Sequence, residues 1–338
     1  MKKKYILIFM SVFAFSFNAK AQDGLEGILQ ANIADANKLT QAYVNPAMKG
    51  LIYGMNSGWY HTAKVHKVLG FDITIGLNAS IVPSKDEMFN FADLGLTSIT
   101  STSSPTGATV AGPNNLKPTL TVADTFNGTP IAATFTMPGG VKDDLPLNAV
   151  PTPAVQFNLG LPAKFEAMLR LVPKVGSDDV KGNLIGLGLK KEITSWFGPM
   201  EKTPLHVSLL AAYTSMNVDY DLQNDSSVAG NNQSAEFELS SFTMQAIASL
   251  NFPIINFYGG FGYTGGNSTF KMLGQYDLDY NAGTITRTVT DPINQDFDAS
   301  GFRTTVGARL SLGFFKIFAD YTLQEYNTIT AGISIGIR

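Results

Sequence analysis

Three histidines, His61, His66 and His206, are the only imidazoles in a chain of 338 residues that contains no cysteine. Without thiols there is no Cys nucleophile, thiolate metal site, disulfide framework or lipid-anchored cysteine. His61 and His66 lie in Trp59-Tyr60-His61-Thr62-Ala63-Lys64-Val65-His66-Lys67. A zinc centre needs three or four ligands and polar groups behind them. No carboxylate run accompanies the pair, so it reads as a polar belt and not as a metal site. His206 falls on the polar phase of an alternating row, with Ser208 its same-face neighbour. A Ser–His pair on a strand is the minimum for ester hydrolysis, but the sequence places no carboxylate to orient the imidazole. No Gly-x-Ser-x-Gly elbow, His-Glu-x-x-His helix or phosphate-cradling loop is present. Ser177-Asp178-Asp179, Asp219-Tyr220-Asp221 and Asp277-Leu278-Asp279-Tyr280 lack the calcium-loop spacing and read as solvated acids. The expectation is a protein that is not an enzyme and takes no cofactor or metal.

The most suggestive constellation is Asn45-Pro46-Ala47, followed by Gly50, Gly54, Asn56-Ser57-Gly58 and Trp59-Tyr60. Before it, Leu25, Ile28 and Leu29 fit one face of a short helix, and Asp35 suits the cap of a second through Leu39 and Tyr43. Pro46 biases Asn45 toward extended geometry. The segment therefore predicts two short helical pieces, a bend and a glycine-rich extended chain that approaches a wall closely. Candidate ligand-binding and gating residues are Asn45, Pro46, Ala47, Gly54, Asn56, Trp59, Tyr60, His61 and His66.

The rest of the chain must position these residues, and from Phe71 onward period two dominates. Ile73, Ile75, Leu77 and Ala79 alternate with Asp72, Thr74, Gly76 and Asn78. Similar rows run through Val155 to Leu161, Phe165 to Leu171, Ile185 to Leu189, Leu205 to Tyr213, Phe302 to Leu310, Phe315 to Leu323 and Ile329 to Ile337. One face is apolar, the other polar or small. The rows are about 9–11 residues long, the length of a tilted membrane strand. Among spans built from strands, only a closed barrel satisfies every backbone group in lipid. The prediction is an all-β transmembrane antiparallel barrel of about 12–14 strands, 14 favoured, with a short N-terminal helical plug. A soluble secreted β-sandwich is the rival. Residues 97–150, 221–236 and 264–300 read as long polar loops, and Gly198-Pro199, Asn251-Phe252-Pro253 and Gly313 as tight turns, with a strand-like piece at Thr284 to Val289.

Lys2-Lys3-Lys4, the apolar stretch Tyr5 to Phe17 and Ala19-Lys20-Ala21 have the layout of a secretory signal peptide. Cleavage after Ala21 removes four Lys and no acid, which takes the formal net charge from −3 to −7. With charged residues at only 15% and no basic run, nucleic acid is excluded as a partner. The expected organisation is a signal peptide at 1–21, a hatch at 22–58 and an outer-membrane barrel at 59–338.

With these residues in view, the chain resembles the FadL-type outer-membrane transporters of hydrophobic compounds, through the short helical start, Asn45-Pro46-Ala47 and the strand rhythm. More closely it resembles an uncharacterised family of Bacteroidota outer-membrane barrels, through the Gly54 to Lys67 stretch, Leu69-Gly70-Phe71-Asp72 and Gly186-Leu187-Gly188-Leu189-Lys190. The FadL resemblance implies a 14-stranded barrel plugged by a hatch that holds the Asn-Pro-Ala bend. The expected function is passive uptake of a small hydrophobic, fatty-acid-like ligand through an apolar pocket, opened by movement around Asn45 to Gly54. The expected partners are membrane lipid and the barrel-assembly machinery, and the expected state a monomer. The alternatives are a structural or adhesin-like barrel without flux, and a barrel-wall esterase or lipase using His206.

Overall fold

The computed structural model describes residues 26–176, 180–222 and 228–337. The expected signal peptide at 1–21 and the first residues of the expected hatch lie outside the described residues. One long helix, α1 (Ile33–Met55), precedes sixteen strands: β1 (Phe71–Ile81), β2 (Met88–Asn90), β3 (Ile99–Thr102), β4 (Thr106–Ala108), β5 (Thr119–Phe126), β6 (Thr129–Thr136), β7 (Ala149–Leu161), β8 (Phe165–Gly176), β9 (Val180–Glu192), β10 (Leu205–Asp221), β11 (Gly230–Asn251), β12 (Ile255–Tyr280), β13 (Ile285–Thr290), β14 (Ile293–Leu312), β15 (Phe315–Leu323) and β16 (Thr328–Ile337).

The pairing β1-β7-β8-β9-β10-β11-β12-β14-β15-β16 returns to β1, antiparallel throughout. The ring holds ten strands, and β13 adds only to the far end of β12. This is fewer than the 12–14 expected. The reason is strand length: β11, β12 and β14 run 22, 26 and 20 residues, about twice the assumed row, so a given length of chain makes fewer crossings.

The alternation sets the two faces. On β1, Ile73, Ile75 and Leu77 are exposed while Asp72, Thr74, Asn78 and Ser80 are buried. The same outward row continues as Leu187, Tyr213, Met244, Phe302 and Val306, with Phe261 stacked on Phe302 at 5.8 Å between centroids. A soluble protein does not leave an apolar belt of this extent in water. A closed ring with apolar residues outside and polar ones inside is the architecture of a membrane-spanning barrel.

The two ends differ. Beside the start of β1 and the end of β16, the turns at 162–164, 252–254 and 313–314 are short. At the opposite end, residues 82–148 connect β1 to β7, and a segment containing β13 connects β12 to β14. The stretch 97–150, expected as loop, carries the three-stranded sheet β3-β5-β6. That sheet, with β12 and β13, closes over the barrel mouth around an apolar core of Ile28, Leu29, Leu39, Leu120, Phe135 and Tyr280.

Candidate hatch and lumen

Asn32 caps α1: its side chain accepts from the Asp35 amide at 2.8 Å. Asp35, expected to be the cap, instead lies in the first turn and gathers the facing loop. Its carboxylate accepts from the Thr97 amide (2.8 Å), the Ser98 amide (2.6 Å) and the Ser98 hydroxyl (2.7 Å). Burial alone would raise this carboxyl, but these hydrogen bonds from Ser98 and Thr97, with Lys38 nearby, outweigh it and hold it below its ordinary value.

Asn45, Pro46 and Ala47 do not form the expected bend. They continue one helix of 23 residues with Pro46 inside it. Proline removes one helical hydrogen bond, at a cost of about 3 kcal/mol in an isolated helix. Enclosure offsets that cost, because Pro46 and both flanking turns are packed against their surroundings. Gly54 lies in the last turn of α1, not in an extended chain. A Cβ on Gly50 would overlap Val150 of β7, and one on Gly54 would overlap Thr152. These glycines let the helix lie against the wall.

Below α1 the chain runs through the lumen to Gly70, touching the wall through many polar groups and through an apolar patch where Trp59, Tyr60 and Ala63 pack on Met168, Leu210, Ile247 and Tyr258. Asn56 caps the helix C-terminus. Arg170 of β8 donates from Nη1 to the Met55 carbonyl (2.9 Å) and from Nη2 to the Ser57 carbonyl (2.8 Å). Arg303 of β14 donates to the Asn56 carbonyl (2.8 Å) and the Ser57 hydroxyl (3.0 Å). The Trp59 ring lies 3.9 Å from the Arg170 guanidinium carbon, in space left by Gly186 and Gly188 of β9. Tyr60 donates to Gln245 of β11 (3.2 Å) and meets Tyr258 edge-on.

The foot of this segment is a charged network. Arg309 donates to His61 Nδ1 (3.0 Å), which leaves the His61 proton on Nε2, facing Asp72 at 3.7 Å. His66 sits between two carboxylates, with Nδ1 2.7 Å from Glu166 and Nε2 3.1 Å from Asp72. Both nitrogens must donate, so the ring is an imidazolium. Burial alone would lower this imidazole; the hydrogen bonds and charges of Asp72 and Glu166 outweigh it and hold it above its ordinary value. Lys190 pairs with Glu166 (2.6 Å) and Lys316 approaches Asp72 (3.6 Å).

The structure thus gathers Gly54, Asn56, Trp59, Tyr60, His61 and His66 along one lumenal path. Asn45, Pro46 and Ala47 lie higher, beside the capped end. His206 does have a carboxylate partner, Glu192 at 2.9 Å, against expectation. Ser208, however, is buried with its hydroxyl donated to the Ala63 carbonyl. Among the described residues no three His, Asp or Glu side chains converge to hold a metal ion. The residues not foreseen are the wall charges Asp72, Glu166, Arg170, Lys190, Arg303 and Arg309. Their signal was available: an ionised side chain on the inward phase of a membrane-length strand needs a partner inside. Around Asn45 to Gly54 the surroundings are apolar: Leu51, Ile52, Tyr53 and Met55 pack with Val82, Leu184, Met216 and Leu239, and Tyr43, Val44 and Met48 pack with Phe297. The wall around residues 55–66 sets these charged and polar groups beside an apolar patch of Met168, Leu210, Ala212, Ile247 and Tyr258 packed on Trp59, Tyr60 and Ala63, and a further apolar cluster lies at the long-loop end.

Among curated proteins none matches the chain. Solved structures with similar strand arrangements include the attachment invasion locus protein Ail of Yersinia pestis, at 8% identity and a TM-score of 0.28, covering 80% of this chain and 99% of that one. The translocator domain of the autotransporter NalP from Neisseria meningitidis is 9% identical with a TM-score of 0.31, covering 81% and 90%. A Pseudomonas aeruginosa FadL homologue is 10% identical with a TM-score of 0.20, covering 88% and 95%. A family model described as a family of unknown function, DUF6588, matches residues 1–337. The chain, with its ten-stranded ring and polar-bound lumenal segment, belongs to that family.

Proposed function

We propose that the protein is an exported, monomeric outer-membrane barrel that passes a small solute when the hatch, α1 and residues 56–66, shifts in the lumen. It needs no energy source or cofactor, is not an enzyme, and depends on membrane lipid and the barrel-assembly machinery. The observation that carries this reading is the independence of wall and filling. The ring closes strand to strand without using residues 26–70, while the lower hatch is held by hydrogen bonds and ion pairs that water can replace, beside one apolar patch around Trp59 and Tyr60. The path so opened carries the buried wall cations Arg170, Lys190, Arg303 and Arg309 beside one apolar patch at Met168, Leu210 and Ile247, and those charges favour a small hydrophilic solute over the fatty-acid-like ligand expected from the FadL resemblance.

Planar-bilayer recording tests it. A Cβ at position 54 meets Thr152 and lies close to Ser80, so Gly54→Val pries the helix end from the wall. It is expected to raise conductance at least tenfold over the wild type. Equal, negligible conductance in a correctly folded Gly54→Val barrel would count against passage. It would favour the second reading, a closed structural or adhesin-like barrel, whose supporting observation is the domed long-loop end with its own apolar core. An esterase using His206 is not favoured, because the Ser208 hydroxyl is engaged by the Ala63 carbonyl.

A further inference from the structure

Arg170 and Arg303 are 1% and 2% exposed at the middle of the lumen. Among the described residues, no carboxylate lies within ion-pair distance of either. The other lumenal cations are matched: Lys190 by Glu166 at 2.6 Å, Lys316 by Asp72 at 3.6 Å. Arg309 donates to His61 on the edge of that same acidic group. The acid associated with Arg303, Asp320, accepts from the Tyr258 hydroxyl at 2.9 Å. Two like charges buried together with no carboxylate in direct contact are costly in a low-dielectric interior, and Asp320 acts on Arg303 only from beyond ion-pair distance.

Apart from the bonds from Arg170 Nε to Gln156 (2.9 Å) and from Arg303 Nη2 to the Thr322 hydroxyl (3.4 Å), what the two guanidiniums hold is the hatch. Four of their N–H groups point at the Met55, Asn56 and Ser57 carbonyls and the Ser57 hydroxyl. The Met55 and Asn56 carbonyls are at the negative end of α1, worth about half an elementary charge. That is less than the two charges it faces. Nε of Arg303 is buried and has no partner at all. A pair of forked donors with spare capacity is suited to a carboxylate or phosphate oxygen set.

We propose that Arg170 and Arg303 form a latent anion site that the end of α1 occupies in the closed state, and that the solute crossing the opened barrel is a small anion. The helix-end oxygens act as the internal surrogate of that anion. The proposal rests on passage through the lumen, and one experiment separates the two.

Full-length protein is reconstituted in planar bilayers under a KCl gradient, as wild type, Gly54→Val, and Gly54→Val with Arg170→Gln and Arg303→Gln. Trp59→Ala is a second hatch-loosening background, used if Gly54→Val lacks the heat-modifiable gel mobility of a folded barrel. The opened pore is expected to prefer chloride over potassium several-fold. Millimolar inorganic phosphate is expected to reduce its current by half or more. Loss of both arginines should bring the preference near unity and abolish the phosphate effect. An opened pore with no anion preference, or with one that survives loss of both arginines, overturns the anion site and leaves passage standing. No current from any folded variant overturns passage itself, and the anion proposal with it.

Discussion

Trp59 lies flat against the Arg170 guanidinium, and the facing strand carries glycine at 186 and 188, where any Cβ would press on the indole. Valine at Gly188 must push the ring aside. Overpacking of this kind typically costs about 1–3 kcal/mol. Gly188→Val is therefore expected to lower the temperature at which the folded gel band converts to the unfolded one, with Leu187→Val on the outward face as the neutral comparison. At His66 the expected effect is a pH dependence. Its folded pKa is raised, so the stabilisation it gives is fully present below the ordinary histidine value of about 6.5. It is lost as pH rises through the folded value. Amide exchange of residues 61–66, corrected for intrinsic rate, should accelerate between pH 6 and pH 9 in the wild type. In His66→Gln it should already be fast at pH 6. A flat wild-type profile would remove His66 as the latch.

α1 is tied at both ends by groups outside itself. At its start the tie is Asp35, whose carboxylate collects three donors from Thr97 and Ser98. Hydrogen bonds to a charged group contribute about 1.5–3 kcal/mol each at most and are not additive. Asp35→Ala is expected to destabilise the long-loop end and to open 95–100 to proteolysis while the ring remains intact. The folded pKa of Asp35 is depressed, so its contribution is present above the ordinary aspartate value near 4. It is lost as pH falls through the folded value. Acidification should therefore loosen this end in the wild type but not further in Asp35→Ala. At its other end α1 is held by Arg170 and Arg303, and near that end Lys49 pairs with Glu325 at 3.2 Å in the turn between β15 and β16. Because Glu325 lies in a connection and not in a crossing strand, Glu325→Ala should release that end without disturbing the barrel wall.

For the whole molecule, the ends set an orientation. Barrels place short turns toward the periplasm and long loops outside, which puts the start of α1 at the cell surface and the β9–β10 connection inside. The chain has no cysteine, so single replacements report position cleanly. Ile33 and Trp196 are 45% and 67% exposed at opposite ends. Ile33→Cys is expected to react with a membrane-impermeant maleimide on intact cells. Trp196→Cys should react only after the outer membrane is permeabilised. The reverse pattern would invert the molecule and with it the direction in which the hatch faces a solute. From Glu26 the described chain thus runs from the long-loop end down the lumen and only then enters the wall at Phe71.

The alternation of Ile73, Ile75 and Leu77 with Asp72, Thr74 and Asn78 was enough to assign faces, because side-chain direction in a strand is a local property with a period of two residues. The closed wall is a consequence of that alternation, since an apolar outward face leaves no edge that lipid will accept. Strand number was not, because the ends of β11, β12 and β14 are set by pairing with neighbours and not by composition. Pro46 marked a break by local rule, yet packing in the lumen kept the helix continuous through it. The partners of the inward charges were out of reach in the sequence as well: His66 meets Glu166 across 100 residues and Arg303 meets Asn56 across 247. Periodicity is written between near neighbours, whereas charge compensation in an enclosed space is decided by which distant strands the closing ring brings face to face.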